Sequence, residues 1–386
     1  MIYLDNAATS SPKPQTVIKA VERSLREFCA NPGRSGHDLS QRAALEIYEC
    51  RKKVCEFFNG PSEDKVIFTP NCTHSLNYVL KGLLSPGDHV IASSMEHNAV
   101  ARPLHQLAKQ GVEVDVAEVI FDDMDATLRS FGALIQHNTK LIVCTHASNV
   151  TGMVLPIKEI GALCRQYGIL FVVDAAQTAG IIDIDMEDMN IDFLCIAPHK
   201  GLYAPMGTGI LIARSNLPKT VIEGGTGTMS IEIEQPEDLP ERLESGTLNL
   251  PGIMGISAGI DFVKSKTLDR IYNHELKLMQ MLYDALESLP NIRLYTSRPQ
   301  KDLYAPVLSF NIGGMTSGEA ASKLNNYGIA VRAGLHCAPM AHKRIGTLDI
   351  GTVRVCPSVF TSPNHIHELV NVIKRIIHSS KNYYIY

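Results

Sequence analysis

Short, continuous apolar runs recur along the first two thirds of the chain, without alternation between polar and apolar positions. They lie at residues 66–69, 89–92, 141–145, 169–173 and 193–196. Such runs are typical of strands that are buried on both faces of a parallel sheet. Helical patterns separate several of them, for example at 37–58 and 156–167. Repeated strand–helix units predict an α/β fold, with a mostly parallel sheet and helices on both of its faces.

The pattern changes after Pro251. Helical stretches and one strand-like run then follow, at residues 253–264, 268–289, 307–312, 318–327 and 363–378. We predict a large domain at residues 15–250, and a smaller α+β domain formed by residues 1–14 and 251–386. The N-terminal residues are expected to pack beside the smaller domain. The tyrosine-rich end, residues 382–386, is equally compatible with a docked strand and with a loose tail.

Two buried runs lead to a carboxylate and an amine. Asp174 follows the run at 169–173, at the carboxyl end where open α/β sheets place ligand sites. The run at 193–196 leads to Lys200. Pyridoxal phosphate needs a lysine for its Schiff base and an acid that keeps its pyridine nitrogen protonated, so this pair suits that cofactor. The alternative is a core strand capped by an ordinary aspartate, with a surface lysine nearby.

Composition and charge exclude several classes of function. A net charge of −4 over 386 residues gives no general attraction for nucleic acid or for an anionic membrane. No apolar stretch approaches the length that spans a bilayer, and the first residues lack the basic and apolar regions of an export signal. We therefore expect a cytoplasmic protein that binds neither nucleic acid nor membrane.

Cysteine and histidine are abundant but show no metal-binding or disulfide pattern. The nine cysteines are scattered without CxxC pairs, which is typical of reduced thiols in a cytosol. The fourteen histidines include no HExxH motif and no zinc-like spacing with cysteine. We predict no metal site.

Four segments together carry a resemblance to a known family. They are Leu-Asp-Asn-Ala-Ala-Thr at 4–9, Val-Asp-Ala-Ala-Gln at 173–177, His-Lys-Gly at 199–201 and Arg-Ala-Gly-Leu-His-Cys at 332–337. In this order they resemble the class V pyridoxal-phosphate aminotransferase family, specifically its cysteine desulfurases, over essentially the whole chain. The tight spacing from Arg332 to Cys337 is similar to the type II, selenocysteine lyase-like group, whose best-known members serve iron–sulfur cluster assembly and selenium metabolism. The resemblance implies the fold type I of aspartate aminotransferase.

The resemblance assigns the residues around the cofactor ring. Lys200 binds the cofactor covalently, Asp174 holds the pyridine nitrogen and Gln177 donates to the phenolic oxygen. His97 stacks on the ring and is a plausible proton carrier, since imidazole titrates near neutrality. Asn149 lies near the ring oxygen and the substrate. For His97 and Asn149 a structural histidine and a turn asparagine remain alternatives.

The phosphate group has its own set of matching residues. The resemblance places Thr73 and His199 at the phosphate of the same subunit, whereas Thr247 reaches the phosphate of a partner subunit, which implies a homodimer. Locally, Thr73 is also compatible with an ordinary helix start. Cys72 lies where relatives often have threonine, and Ala197 where many have a hydroxyl that binds phosphate. Losing one such charge-assisted hydrogen bond costs about 1.5–3 kcal/mol, so cofactor affinity is expected to fall.

The substrate is expected to meet the C-terminal part of the chain. Cys337 matches the desulfurase nucleophile, and the neighbouring His336 and Arg332 would provide the positive charge that favours a thiolate. Arg354 matches the arginine that clamps the substrate carboxylate, with Asn149 and His336 close by. The alternatives are a buried structural cysteine for Cys337 and a surface ion pair for Arg354. The loop at 31–36 would border this site, or be a solvated connection.

Three hypotheses follow. The first is a cysteine desulfurase, which converts L-cysteine to L-alanine and passes the sulfur through a Cys337 persulfide to a protein or small thiol. The second is a selenocysteine lyase or another class V reaction, which would depend less on Cys337. The third is a non-catalytic sulfur-transfer or assembly partner, which Ala197 and Cys72 keep open.

Overall fold

A computed structural model of the chain describes residues 1–33, 36–215 and 218–381. The helices are α1 (Gln15–Glu27), α2 (Asp38–Phe57), α3 (Cys72–Leu83), α4 (Asn98–Ala108), α5 (Met124–Gly132), α6 (Ile157–Tyr167), α7 (Leu250–Lys266), α8 (Leu268–Glu287), α9 (Ser317–Asn326), α10 (Pro339–Arg344) and α11 (Pro363–Lys381). The strands are β1 (Ile2–Tyr3), β2 (Val66–Thr69), β3 (His89–Ser93), β4 (Glu113–Ala117), β5 (Thr139–Thr145), β6 (Leu170–Asp174), β7 (Phe193–Ile196), β8 (Gly209–Ala213), β9 (Ile292–Leu294), β10 (Leu308–Ile312), β11 (Ile329–Ala330), β12 (Arg332–Gly334) and β13 (Thr352–Val355).

The larger sheet is mostly parallel, as predicted. In the described part of the chain it has seven strands, in the order β2-β8-β7-β6-β5-β3-β4. Strands β3 to β7 pair in parallel, whereas β8 is antiparallel to both β2 and β7. The fold is therefore α/β, and the parallel strands bring their carboxyl ends to one edge of the sheet.

Both faces of this sheet are buried, which explains the continuous apolar runs. Phe171 and Val173 of β6 pack into one apolar cluster, and Val172 packs into a second cluster. Successive residues of a strand point to opposite faces, so a strand covered on both sides needs apolar residues throughout.

Specific residues begin and end the helices that follow the strands. Asn71 caps α3, because its side chain accepts a hydrogen bond from the backbone N–H of His74. His97 caps α4 in the same way, through the N–H of Ala99. Helix α6 ends at Gly168, whose φ of 68° suits a residue without a side chain. The caps of α3 and α4 fix the loops that connect the carboxyl edge of the sheet to these two helices.

A second sheet and the N-terminus form another core. Within the same described residues, four antiparallel strands are ordered β12-β13-β10-β9. Strand β1 pairs in parallel with β11, and Leu4 lies in the apolar cluster of this sheet. The N-terminal residues therefore pack beside the C-terminal unit, as expected. The domain boundary at residue 250 stays a prediction; side chains of α7 pack into the core of the larger sheet.

The structure adds elements that the sequence pattern did not indicate: β4, α5, β9 and α10. Residues 382–386 lie outside the described residues, as do Arg34 and Ser35 of the loop at 31–36. None of the described helices is long and apolar enough to cross a membrane. The part of the chain that the structure covers contains no cluster of three or more metal-ligating side chains.

Candidate active site

One cavity at the carboxyl edge of the larger sheet contains most of the predicted cofactor residues. Its lining includes Cys72, Thr73, His97, Asn149, Asp174, Gln177, His199 and Lys200. These residues come from five segments of the chain between α3 and the loop after β7. The carboxylate and the amine that the sequence predicts therefore face the same space.

Asp174 is held firmly in the wall of this cavity. It is the last residue of β6 and is 3% exposed. Its Oδ1 atom accepts hydrogen bonds from the Ala176 N–H at 2.9 Å and from the Cys72 Sγ at 3.7 Å. Burial and the charge of Asp174 raise the pKa of the Cys72 thiol well above its ordinary value. Cys72 is therefore a thiol that donates toward the carboxylate.

Lys200 lies in the tight turn that follows β7. Its backbone N–H donates to the Ala197 carbonyl at 3.1 Å. The next residue must be glycine, because a Cβ at Gly201 would come within 2.4 Å of the Ala179 carbonyl oxygen. Burial lowers the pKa of the Lys200 amine, and Asp174 opposes this effect in part. An amine that loses its proton readily is a competent nucleophile and base.

His97 presents a neutral imidazole to the cavity. Its Nδ1 atom accepts from the Ala99 N–H at 3.0 Å, which leaves the ring proton on Nε2. Burial lowers the pKa of His97, while the nearby Asp174 carboxylate has the opposite effect. The same ring thus caps helix α4 and lines the cavity, so the structural and functional interpretations of His97 are compatible.

His199 and Thr73, which the resemblance assigns to the phosphate, both line the cavity. The Nδ1 atom of His199 is buried and has no hydrogen-bond partner among the described residues. Burial, Lys200 and Lys13 lower the pKa of His199 to about 4. Its neutral ring can therefore donate or accept one further hydrogen bond. Thr73 is exposed in the first turn of α3, and the methyl group of Ala197 lines the cavity.

Lys13 is a neighbour of this region that the sequence did not indicate. Its Nζ atom donates to the His199 carbonyl and to the Ser10 hydroxyl, both at 2.8 Å. Burial lowers the pKa of Lys13 to about 8. The residue comes from the segment before α1, so only the folded chain brings it beside His199.

Cys337 lies beside the cavity, in an adjacent cleft. The two share Thr73, His97 and Ala99, and Cys337 lines the cleft but not the cavity. Cys337 is exposed, so the alternative of a buried structural cysteine is wrong. Its carbonyl accepts from the Asn98 N–H at 2.7 Å, which ties the loop to the start of α4.

The backbone around Cys337 adopts a rare conformation. His336 and Cys337 have φ angles of 49° and 57°, in the left-handed region that non-glycine residues seldom occupy. Such residues cost about 1–3 kcal/mol each and persist only where neighbouring contacts enforce them. The Asn149 side chain supplies one such contact, since its Nδ2 donates to the His336 carbonyl at 2.8 Å.

The expectation that His336 adds positive charge beside Cys337 is wrong. The His336 ring is buried, and its Nε2 atom lies 3.1 Å from both the carbonyl and the hydroxyl oxygen of Thr352. Burial, followed by Arg354, lowers the pKa of His336 to about 2. The ring is therefore neutral at physiological pH. Its predicted part in substrate binding stays a prediction.

Arg354 is buried, so the alternative of a surface ion pair is wrong. It is 2% exposed, and its two terminal nitrogens donate to the Asn149 carbonyl at 3.0 Å and to Asp5 Oδ1 at 2.9 Å. The Nε atom has no partner in the described part of the chain. Burial lowers the pKa of Arg354, while Asp5 counteracts it. The sequence did not indicate Asp5 as the partner, although it belongs to the motif at 4–9.

Thr247 lies away from this cavity. It is exposed and lines a different cleft, together with residues 31–33 and 226–228. The stretch at 232–244 ends on a buried residue. Glu244 is 8% exposed, and its Oε1 accepts from Arg51 at 2.8 Å. The buried pair anchors the segment that presents Thr247 to the surface.

Comparison with known proteins identifies the family of this chain. The family Aminotransferase class-V matches residues 2–369. A probable cysteine desulfurase of Methanothermobacter thermautotrophicus is 33% identical, over 97% of this chain and 94% of the relative. A cysteine desulfurase of Pectobacterium carotovorum is 32% identical, over 97% and 93%. The apo structure of a cysteine desulfurase from Thermococcus onnurineus superposes with a TM-score of 0.91 at 31% identity, covering 98% of this chain and 95% of the other. The chain therefore belongs to the class-V aminotransferase family.

Proposed function

We propose that this protein is a pyridoxal-phosphate-dependent cysteine desulfurase. The observation that carries the proposal is the shared cavity of Lys200 and Asp174, with the exposed Cys337 in the adjoining cleft. The amine and the carboxylate suit the cofactor of the class-V aminotransferases, and the thiol suits a sulfur acceptor. The similar proteins named cysteine desulfurase support the same reaction.

The residues of the cavity fit pyridoxal phosphate. Lys200 would hold it covalently, Asp174 would bind its pyridine nitrogen, and His97 would cover the ring. Gln177 and Asn149 would reach the ring oxygen, while Thr73 and the unpartnered His199 Nδ1 would hold the phosphate. When bound, the cofactor supplies an electron sink for the substrate Cα. Asp174 already accepts hydrogen bonds from the Ala176 N–H and the Cys72 thiol. Because these bonds hold its carboxylate in one orientation, no free energy is spent on orienting it when the cofactor binds.

Arg354 is the residue that would bind the substrate carboxylate. Its guanidinium donates a hydrogen bond to the Asn149 carbonyl, and its Nε atom has no hydrogen-bond partner among the described residues. Asp5 fixes the other end of the guanidinium and keeps it charged within a buried environment. Lys200, whose pKa burial lowers, is the group that would take the Cα proton.

Cys337 would accept the sulfur atom. The Cβ–S bond of L-cysteine breaks, an S–S bond forms on Cys337, and a proton is added at Cβ, which gives L-alanine and a persulfide. The substrate sulfur is oxidised and Cβ is reduced, so no external oxidant is needed. The persulfide then passes its outer sulfur to an acceptor thiol by the chemistry of thiol–disulfide exchange.

The exposed cleft next to Cys337 would allow that acceptor thiol to approach the persulfide. Lys81 and Arg102 line it, and neither forms an ion pair with another described residue. Two free cations beside the nucleophile favour an anionic acceptor thiol, on a protein or a small molecule.

The cellular location, the oligomeric state and the domain division of the chain are part of the same proposal. We place it in the cytoplasm, where the nine cysteines, all free, would stay reduced. The chain would act as a homodimer in which Thr247 reaches the partner's phosphate. It would divide into a domain at 15–250 and one formed by 1–14 and 251–386.

The test is turnover of L-cysteine with added cofactor, with alanine and sulfide measured together. Equal production of both is expected, with none from Lys200→Ala. Cys337→Ala should lose turnover of cysteine; if it retains turnover of selenocysteine, the protein is a selenocysteine lyase instead. A protein that binds no cofactor at any concentration and releases no alanine would be a sulfur-transfer or assembly partner, and would contradict the proposal.

A further inference from the structure

One face of the smaller sheet carries polar side chains although it is buried. In β13, Val353 and Val355 belong to the apolar core of this sheet, whereas Thr352 and Arg354 alternate with them and therefore point to the other face. In β10, Ser309 lies opposite Arg354 in the antiparallel register, so the two share that face. All three polar residues are buried. Buried polar groups are normally hydrogen-bonded, so the partners of this face need to be identified.

A chain of hydrogen bonds runs from His336 across this face to the loop after β5. The Nε2 atom of His336 lies 3.1 Å from both the hydroxyl and the carbonyl oxygen of Thr352. The Thr352 hydroxyl donates to the Ser309 hydroxyl at 3.2 Å, and the Ser309 hydroxyl donates to the Val150 carbonyl at 2.6 Å. Val150 follows Asn149, whose side chain donates to the His336 carbonyl. The chain therefore begins and ends at the two segments that Asn149 also joins.

The proton positions in this chain follow from its last acceptor. A carbonyl oxygen only accepts, so the single hydroxyl proton of Ser309 goes to Val150. Ser309 can then only accept from Thr352, which uses the single hydroxyl proton of Thr352. Both Thr352 oxygens are therefore acceptors toward His336, and the imidazole donates from Nε2. The lone pair is left on Nδ1, which is buried without a partner among the described residues.

The neutral state of His336 suits this arrangement. Burial, followed by Arg354, lowers the pKa of His336 to about 2, so the ring carries one proton over the physiological range. A neutral imidazole donates from one nitrogen only, and the partner of that nitrogen selects the tautomer. Because Thr352 can only accept, the ring is held to the smaller sheet in one form. This bond is a second restraint on the left-handed backbone at 336–337, beside the bond from Asn149.

We propose that Ser309 and Thr352 are positioning residues for Cys337: their hydroxyl groups fix His336 in its Nε2–H form and so hold the loop of the nucleophile in its left-handed conformation. In the described part of the chain, neither residue lines the cofactor cavity or the cleft beside Cys337. They act through His336 and not on the substrate. The inference deepens the proposed function and rests on it in taking Cys337 as the sulfur acceptor.

A neutron crystal structure of the intact, deuterated protein tests the proton positions. We expect deuterium on His336 Nε2 and none on Nδ1, with the Thr352 hydroxyl directed at Ser309 and the Ser309 hydroxyl directed at Val150. Deuterium on Nδ1, or a Thr352 hydroxyl directed at the imidazole, would overturn the proposal. This result is independent of any turnover.

Hydrogen exchange of the intact protein tests whether the two hydroxyls restrain the loop. The Ala338 amide donates to the Leu335 carbonyl at 2.9 Å, so its exchange reports on the turn that contains the nucleophile. Thr352→Val and Ser309→Ala should each speed this exchange by about 5- to 10-fold, since each removes one hydrogen bond. Thr352→Ser keeps the hydroxyl and should restore the wild-type rate. Unchanged exchange in Thr352→Val and Ser309→Ala would contradict the positioning role.

The matched control removes a buried serine hydroxyl elsewhere. Ser24 is buried in α1 and donates to the Val21 carbonyl at 2.6 Å, the same length as the bond from Ser309 to Val150. Ser24→Ala should leave exchange of the loop unchanged. An equal rise in Ser24→Ala and Ser309→Ala would mean a general loss of stability, and would overturn the positioning role.

The rate of persulfide formation on Cys337 in a single turnover connects the loop to the reaction. Ser309→Ala and Thr352→Val should slow it by about 5- to 10-fold, and Thr352→Ser should stay close to wild type. If the wild type forms no alanine, the desulfurase function fails, while the proton positions and the loop exchange still decide this inference. If the wild type forms alanine and the variants capture sulfur at the same rate, the inference fails and the function stands.

Discussion

The side-chain amide of Asn149 donates a 2.8 Å hydrogen bond to the backbone carbonyl of His336, the residue that precedes Cys337. Asn149 also lines the cofactor cavity, and its own carbonyl accepts from Arg354. One residue thus joins the loop of the nucleophile, the cofactor cavity and the residue proposed to bind the substrate. A change at Asn149 should therefore affect sulfur transfer more than it affects folding.

Asn149→Ala is expected to slow persulfide formation on Cys337 by about 5- to 10-fold, since one net hydrogen bond is worth about 1 kcal/mol. The reason is that the left-handed backbone at His336 and Cys337 loses one of its restraints. Rapid-quench mass spectrometry measures the rate. Asn138→Ala is the control, because the Asn138 side chain bonds to Gly87 far from the site. Equal slowing by both variants would argue against a role for Asn149 in positioning the loop.

Ala197→Ser should strengthen the binding of pyridoxal phosphate. The added hydroxyl lies in the cavity lining near His199 and can restore a charge-assisted hydrogen bond worth about 1.5–3 kcal/mol, or roughly 10- to 100-fold in Kd. Fluorescence titration of the cofactor-free protein measures the change. Cys29→Ser is the control, since Cys29 does not line the cavity. A weaker or unchanged affinity in Ala197→Ser would place the phosphate elsewhere.

The buried pair of Arg51 and Glu244 should be costly to break. The two side chains are 9% and 6% exposed, and Glu244 also accepts from the Phe68 N–H at 2.6 Å. Glu244→Gln leaves the Arg51 charge without compensation, so the free energy of unfolding should fall by about 3–5 kcal/mol. Urea titration measures it. Lys158→Ala, which breaks the exposed pair with Asp188, should cost no more than about 1 kcal/mol; an equal loss would contradict this interpretation.

His146 should make the folded protein sensitive to acid. Burial lowers its pKa to about 4. The unfolded chain therefore binds more protons than the folded one between about pH 6.5 and pH 4, and the stability contributed by neutral His146 is lost as the pH falls through that range. The slope from one such group is at most about 1.4 kcal/mol per pH unit.

The difference in unfolding free energy between wild type and His146→Gln isolates this effect, because the other titrating groups are common to both proteins. The advantage of the wild type should shrink from pH 6.5 to pH 4. A difference that stays constant over this range would mean that His146 is protonated in the folded state. His367→Gln, at a surface position in α11, is the control for the replacement of a histidine.

Lys81 and Arg102 should control the release of sulfur rather than its capture. Lys81→Glu and Arg102→Glu are expected to slow discharge of the Cys337 persulfide to an anionic thiol such as glutathione, and to do so less at high salt. Discharge to the uncharged dithiothreitol should change little. Lys374→Glu, an exposed change on α11, is the control for net charge. If all three variants behave alike, the cleft plays no part in acceptor binding.

The sequence predicts those parts of the site that follow directly from local pattern. Asp174 and Lys200 each come after a buried apolar run, so their place at the sheet edge follows from the strand positions. Strand β4 was missed because it is an edge strand with exposed Glu113 and half-buried Asp115, and so lacks a continuous apolar run. Helix α10 has six residues, too few for a helical period to show.

Contacts between distant residues could not be predicted in this way. Asp5 and Arg354 are 349 positions apart, and Lys13 lies 186 positions from the His199 carbonyl that it contacts. The burial of His336 depends on its packing against Thr352, which no pattern around residue 336 records. Such pairs arise from the way the N-terminus and the smaller sheet pack against the cavity, and this packing is set by the whole fold.

The central claim is that Cys337 receives sulfur from L-cysteine at a site built by Lys200 and Asp174. Its most direct measurement is a single turnover with a limiting amount of L-cysteine, followed by intact mass, peptide mapping and alanine determination. We predict one sulfur atom added at Cys337 for each alanine formed, unchanged in Cys29→Ala, which removes the other exposed cysteine, and absent in Lys200→Ala. Alanine formed without sulfur on Cys337, or sulfur on Cys337 in the Lys200→Ala protein, would contradict the account.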